Sequence, residues 1–273
     1  MDAWGNFWEK GHSTTFGEYY SDGYTKGYIA QWWTAILNSA DAKDLHILEV
    51  GCGNASLLPC LLDQRVKGSY TGVDAAEVRL SEAVKKRANA ELKINLKGGL
   101  GIEKFDSETQ FDLIASVYGL EYSPLDQSLP LLRKLLAPKG EANFLMHHSG
   151  SVITEMSAKA LGEFDFESME SVVSQLKAIN SELNSHAGDP AKLQQSSVAH
   201  AARDSVNEFV SLVMDAGPEE RNPISVDFAK AALSYFKKLR LSEADRKTYI
   251  DGILVDFHSS KERFRQMVDV ARN

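Results

Sequence analysis

The chain has 273 residues, 43% of them hydrophobic and 25% charged, with a formal net charge of −8. That is apolar material enough for one large α/β domain, or such a domain with an appendage, and it excludes a disordered chain. No Lys/Arg-rich stripe is present to neutralise a run of phosphates, which argues against nucleic acid and favours a small ligand. No apolar run is long enough to span a bilayer, so no membrane partner is expected. The two cysteines, Cys52 and Cys60, make neither a disulfide framework nor a Cys-x-x-Cys metal pair. The N-terminus lacks the basic and apolar pattern of an export signal, and a reducing, cytoplasmic setting is expected.

Residues 1–43 form a first region holding all four tryptophans, Trp4, Trp8, Trp32 and Trp33, with Phe7, Phe16, Tyr19, Tyr20, Tyr24 and Tyr28. Such crowding needs burial. Two readings stand: an N-terminal helix packed on the main domain, or an aromatic lid that closes over a ligand.

Residues 44–150 alternate short apolar runs with longer polar-periodic segments, the pattern of strands joined by helical crossovers in a mostly parallel, Rossmann-like α/β sheet with helices on both faces. Strands are predicted at 45–50 (LHILEV), 69–74 (SYTGVD), weakly at 92–96, at 111–117 (FDLIASV) and at 141–147 (EANFLMH). Helices are predicted at 75–90 and at 129–136, the second stopped by Pro138 and Gly140.

Residues 151–273 carry apolar side chains at helical spacing, as in Met169, Val172, Val173, Leu176 and Ile179. This region is predicted to be mostly helical, broken at 184–197 and around 218–223, and to serve as a cap over the acceptor site or as a homodimer contact. Residues 253–257 are the one candidate for a further strand.

The chemistry gathers at LHILEVGCGNAS, residues 45–56. After an apolar strand ending in Glu49 and Val50, the glycines of Gly51-Cys52-Gly53-Asn54-Ala55 permit a tight turn and a close backbone approach to a ligand. A helix N-terminus behind the turn is expected to offer free N–H groups. Asp74 ends the next strand, beside this turn, where a carboxylate can accept both hydroxyls of a ribose. Dinucleotide enzymes need Gly-x-Gly-x-x-Gly, and Ser56 stands at the sixth position, which counts against a dehydrogenase. Glu49 suits a ligand that carries an ammonium and a sulfonium better than a pyrophosphate.

Glu49-Val-Gly51-Cys-Gly53-Asn-Ala55 resembles the first motif of the class I S-adenosylmethionine-dependent methyltransferases, E/D-x-G-x-G-x-G, with alanine for the third glycine. Residues 111–124 (FDLIASVYGLEYSP) resemble the family's fourth-strand motif, and residues 131–147 its following helix and fifth strand. The resemblance covers residues 45–149. It implies S-adenosyl-L-methionine as cofactor and, as the residues that hold it, Glu49, Gly51, Cys52, Gly53, Asp74 and Ala75, with Val117 of the fourth-strand motif. The family often has an acid after the third strand for the adenine amine, whereas Lys97-Gly98-Gly99-Leu100-Gly101 has none. The expectation is that backbone groups of Gly99 and Leu100 serve there, with Glu103 as a less favoured substitute.

Methyl transfer to oxygen or nitrogen is an in-line displacement, so acceptor alignment and proton removal decide the catalytic residues. His147 and His148 end the fifth strand and are candidate bases, while Tyr118, Glu121 and Tyr122 follow the fourth and are placed to orient an acceptor. His12 enters as a substrate-binding candidate from the aromatic segment. No Asn/Asp-Pro-Pro-Tyr/Phe motif and no Asp/Asn cluster is present, so base-amine methylation is disfavoured and no metal is expected. The reading is methyl transfer to a small molecule. Its rivals are a protein side-chain methyltransferase and a non-catalytic cofactor-binding or assembly module.

Overall fold

The computed structural model describes residues 3–16, 20–39, 44–88, 91–163, 165–218 and 220–272. Tyr19 and the last two residues of the helix expected at 75–90 lie outside them. The chain divides into two compact units, one of residues 1–151 with 269–273 and one of residues 152–268.

In the first unit, helices α1 (Ala3–Glu9) and α2 (Gly27–Ser39) precede a chain of alternating strands and helices. These are β1 (Leu45–Val50), α3 (Leu58–Asp63), β2 (Gly68–Val73), α4 (Glu82–Arg87), β3 (Leu92–Lys97), β4 (Phe111–Val117), α5 (Leu125–Leu135) and β5 (Leu136–Leu145). The strands form one sheet in the order β3-β2-β1-β4-β5, every neighbouring pair parallel. Strand order reverses between β1 and β4, the switch point where open α/β sheets leave a crevice at the carboxyl ends of their strands. The register puts Glu49 level with Gly72 of β2 and Ala115 of β4, so three strands end together at that crevice.

Period-two alternation sorts the strand residues onto two faces. Leu45, Ile47, Tyr70 and Leu113 pack with Tyr24, Trp33 of α2 and Leu61 of α3, while Leu48, Val50, Val73 and Ile114 pack on the other face with Leu132 and Leu135 of α5. The Rossmann-like α/β expectation therefore holds, with helices on both faces.

Three local expectations need correction. Residues 75–81 are not helical, because the Arg79 N–H donates to Asn54 Oδ1 (2.9 Å) and draws this stretch onto the first loop. The helix begins only after Ser81, whose hydroxyl caps it by accepting from the Val84 N–H. Pro138 and Gly140 do not stop a helix; the chain passes from α5 straight into β5, and both residues lie within the strand. There the β4–β5 register shifts between Phe111 and Leu113, and a β-carbon on Gly140 would sit 2.7 Å from the Phe111 carbonyl oxygen. Residues 253–257 form no strand, being the middle of a 28-residue helix.

The second unit is helical throughout: α6 (Val152–Gly162), α7 (Phe166–Ser185), α8 (Ser197–Asp215), α9 (Pro223–Tyr235) and α10 (Glu243–Val270), with short 3₁₀ turns between. Its breaks fall where the sequence places them. It has its own core, in which Leu176, Val206, Tyr235 and Ile250 are buried. Arg246 is 3% exposed yet, among the described residues, is paired with no carboxylate, and its guanidinium donates to Asn180 and Asn184 side-chain oxygens and to the Leu241 carbonyl.

Candidate active site

The loop after β1 is held in shape by two glycines that meet across the switch point. Gly51 has φ +63°, and a β-carbon there would lie 2.5 Å from the Gly119 α-carbon; one on Gly119 would lie 2.7 Å from the Gly51 α-carbon. Backbone thus meets backbone where β1 and β4 end, and no side chain fits between them. Gly53, at φ +50°, lies under the Trp8 ring, which a β-carbon would approach to 2.6 Å.

The N–H groups of Gly51, Cys52, Gly53 and Ala55 in the loop are already engaged, which corrects the expectation of a helix N-terminus offering free donors. Gly51 and Cys52 donate to the Val73 carbonyl, Gly53 to Asp74 Oδ2 (2.8 Å), and Ala55 to the Cys52 carbonyl, while α3 is only six residues long and starts at Leu58. Asp74 is fixed from two sides, its other carboxylate oxygen accepting the Ala76 N–H at 2.8 Å.

Glu49 is 2% exposed and shares the β1 face of Leu45 and Ile47. It accepts the Tyr70 hydroxyl and the Leu57 N–H and, among the described residues, no basic side chain. Burial raises its carboxyl to about 8, against the Tyr70 hydrogen bond that lowers it and with the Asp74 charge adding to the rise. A buried carboxylate without a cation suits a ligand that brings positive charge.

These groups wall a cavity of about 240 Å³. Glu49, Gly51, Cys52, Asp74, Ala75 and Val117 line it, and so do Tyr118, Gly119 and Tyr122. Gly53 contributes through its bond to Asp74 rather than by lining the space. At the β3 corner the wall is Gly101, Ile102 and Glu103, whereas Gly99 borders a separate pocket and Leu100 neither; Leu100 instead donates its N–H to the Asp74 carbonyl. Glu103 is thus the carboxylate at that corner. The sequence signal for it was weak because a 3₁₀ turn, Ile102–Lys104, carries it back toward the cavity.

From the N-terminal segment Trp4, Trp8 and Tyr24, which the sequence reading took only as part of an aromatic crowd, line the cavity too, as does Thr15, which it did not name. Asn54 and Ser56 clamp that segment down. The Asn54 amide donates to the Trp8 (3.0 Å) and His12 (2.8 Å) carbonyls, and the Ser56 hydroxyl to the Ser13 carbonyl (2.7 Å). The crowded aromatics divide accordingly: Tyr20 and Trp33 are core, and Trp4 and Trp8 are cavity wall.

Tyr118 holds φ +56°, a left-handed conformation that costs a non-glycine residue on the order of 1–3 kcal/mol and collects at functional sites. Its N–H donates to the Leu145 carbonyl (2.7 Å), its hydroxyl meets Tyr28 Oη (3.1 Å), and its ring stacks on His147 at 4.7 Å. Burial raises the phenols of Tyr118 and Tyr122, with the Glu121 charge contributing at both. Glu121 accepts the His147 N–H at 2.8 Å. Neither it nor His147 lines the cavity, but both touch residues that do. Burial lowers the His147 imidazole to about 4, so it is neutral at pH 7. His148 is exposed and accepts the Gly150 N–H through Nδ1. His12 is exposed, stacked on Phe7 at 4.3 Å, and outside the cavity lining. Among the described residues no group of three or more His, Cys, Asp or Glu is arranged to hold a metal ion.

An open parallel sheet with a glycine contact at its switch point and an acid at the end of β2 defines a nucleoside-binding α/β domain. Residues 47–140 match the family model described as a methyltransferase domain. Among solved structures the chain is similar to the complex between the Haloferax volcanii Trm112 methyltransferase activator and a methyltransferase (16% identity, 52% of this chain and 59% of that chain, TM-score 0.37). It is similar also to an S-adenosylmethionine-dependent methyltransferase from Mesorhizobium loti (19%, 44% and 55%, 0.33) and to the CcbJ methyltransferase from Streptomyces caelestis (18%, 41% and 47%, 0.30). The chain therefore spans about half the length of these structures. Comparison with curated proteins finds no match.

Proposed function

We propose that this protein is an S-adenosylmethionine-dependent methyltransferase acting on a small-molecule acceptor at oxygen or nitrogen. The observation that carries the reading is the cavity itself: it lies at the sheet's switch point, is floored by the Gly51–Gly119 contact and Asp74, and is walled by the chain's own Trp4, Trp8 and Tyr24. Enclosure by aromatic rings excludes water and suits a small acceptor better than a polypeptide lying in a groove.

In this reading Asp74 accepts from the ribose hydroxyls, Glu49 faces the ligand's positive end, Cys52 and Ala75 wall the nucleoside, and Glu103 with the Gly101–Ile102 backbone meets the adenine amine. The cofactor, when bound, supplies an electrophilic methyl group on a sulfonium. Tyr118, Tyr122 and Trp4 orient the acceptor, with Glu121 and His147 behind them; His12 and His148 have no part. Among the described residues no helix is long and apolar enough to cross a membrane. Cys52 and Cys60 are buried free thiols, in keeping with a reducing cytoplasm.

Isothermal titration with S-adenosylmethionine and S-adenosylhomocysteine tests the cofactor, with binding expected and its absence decisive against the reading. Incubation of a cell extract with methyl-tritiated cofactor tests the acceptor. Label is expected in the acid-soluble small-molecule fraction, and label confined to precipitated protein would instead make this a protein methyltransferase.

A further inference from the structure

The two faces of the sheet are not covered alike at β2 and β3. Leu92 belongs to the core that Leu45 and Tyr70 share, with Ile94 and Leu96 packed against it, so alternation puts Lys93, Asn95 and Lys97 on the other face of β3. On that face of β2 stand Ser69 and Thr71, level with Lys93 and Asn95. A parallel sheet ordinarily buries apolar side chains on both faces, beneath its crossover helices. The connection from β3 to β4, residues 98–110, has no α-helix, only the 3₁₀ turn Ile102–Lys104, and its Ile102 and Phe105 pack on this face. Polar side chains therefore stand where a covering helix would need apolar ones.

Together they form a recess of about 180 Å³ that shares no lining residue with the cofactor cavity, and Ser69, Thr71, Lys93, Asn95, Lys97 and Thr109 line it. Its charge has one sign. No Asp or Glu is among the described residues that line it, in a chain with 38 acidic residues and a net charge of −8. Neither Lys93 nor Lys97 forms an ion pair among the described residues, whereas Lys67, Lys159, Lys177 and Lys247 all do. Lys97 Nζ rests over the Phe105 ring at 5.2 Å, a contact that keeps its ammonium at the recess wall.

The ammonium groups, the Asn95 amide and the Thr71 and Thr109 hydroxyls all donate hydrogen bonds. A cation would meet like charge here. A carboxylate has two oxygens to offer, whereas a phosphate group carries about −1.5 to −2 charge at pH 7 and three or more acceptor oxygens, which suits several donors around two compact positive charges. We propose that this recess binds a phosphate group, free or carried as a monoester, with Lys93 and Lys97 supplying the charge and Asn95 and Thr71 the further donors. The site lies outside the cofactor cavity, so this inference goes beyond the methyltransferase reading and does not depend on it.

The test is a titration of the ¹⁵N-labelled full chain with inorganic phosphate, glycerol 3-phosphate and chloride at constant ionic strength, followed by amide chemical shifts. Saturable shifts are expected for phosphate at residues 69–71, 93–97 and 107–109, half complete at about 1 mM or below, and none for chloride. Tighter binding of glycerol 3-phosphate would support the site and assign it to a monoester; equal or tighter binding of inorganic phosphate would support it and assign it to the free anion. Lys93→Gln and Lys97→Gln should each weaken binding about tenfold or more, and Lys93→Arg, which keeps the charge, should hold it within about threefold. The exposed position of Lys93 and the dispersion of the amide spectrum keep folding apart from binding. Shifts that do not saturate, that chloride reproduces, that fall elsewhere on the chain, or that persist in the Lys93→Gln, Lys97→Gln double variant would overturn the proposal and leave only a solvated sheet face.

Discussion

At the scale of single residues, the site depends on groups that would be unfavourable elsewhere. Gly51→Ala places a methyl group against the Gly119 backbone, which has no flexible side chain to move aside, and adds a left-handed cost of about 1–2 kcal/mol. The loop must shift, and cofactor affinity measured by titration should fall beyond detection while circular dichroism keeps the folded spectrum. Asp74→Ala should weaken cofactor binding by about 1–3 kcal/mol, or roughly fivefold to 150-fold, since it removes a charged acceptor; unchanged affinity would remove Asp74 from the site. Glu49 and His147 have opposite effects on stability as pH changes. The folded Glu49 carboxyl, raised to about 8 from an ordinary 4.5, keeps a proton that the unfolded chain releases, so its contribution to stability falls as pH rises from about 4.5 to about 8. His147, lowered from 6.5 to about 4, stays neutral while the unfolded chain protonates, so its contribution is lost as pH falls from 6.5 to about 4. Between about 4.5 and 6.5 the two oppose each other, and above 6.5 Glu49 acts alone with a slope of at most about 1.4 kcal/mol per pH unit. Urea unfolding of the ligand-free protein should therefore show stability declining from pH 6.5 to 8, and Glu49→Gln should flatten that decline. A decline that persists in the variant would place the titrating group elsewhere.

At the scale of elements, the N-terminal segment is both packing and wall, and Asn54 joins it to the first loop. The Asn54 side chain is 3% exposed and makes three hydrogen bonds, two to carbonyls of residues 8 and 12 and one from the Arg79 N–H. Asn54→Ala leaves those groups unpaired, at about 1–3 kcal/mol each where they stay buried. The segment at residues 9–16 should then be cleaved faster by protease, and bound cofactor should restore protection if the segment closes over it. Proteolysis at the parental rate would show that Asn54 does not hold the segment. The strands β1 and β4 and the break positions among the later helices were legible in the sequence, because apolar runs and clusters of turn residues are local signals. The length of α4 and the position of Pro138 and Gly140 inside β5 were not. The first depends on Asn54, which is 25 residues away from Arg79 in the chain, and the second on a register shift made by the neighbouring strand.

At the scale of the whole molecule, the helical unit, residues 152–268, carries a core of its own, so calorimetry should resolve an unfolding transition for it. Arg246 identifies that transition. Arg246→Ala leaves the Asn184 oxygen and the Leu241 carbonyl without this donor and the Asn180 oxygen with the Tyr235 hydroxyl at 3.4 Å, and charged hydrogen bonds contribute about 1.5–3 kcal/mol each. One transition should move down by several degrees while cofactor affinity stays constant. A single transition that shifts as a whole would show that the two units unfold together.

The sequence by itself determined the parallel α/β architecture and the loop with its acid at Asp74, because strand periodicity, glycine spacing and a strand-ending carboxylate are written within a few neighbouring residues. Only the tertiary structure decided which aromatics wall the cavity, that Glu103 and not Gly99 or Leu100 borders its β3 corner, and that His147 is neutral with Glu121 beside it. Those facts arise from burial and from contacts between segments far apart in the chain, and desolvation has no signature in the order of residues alone.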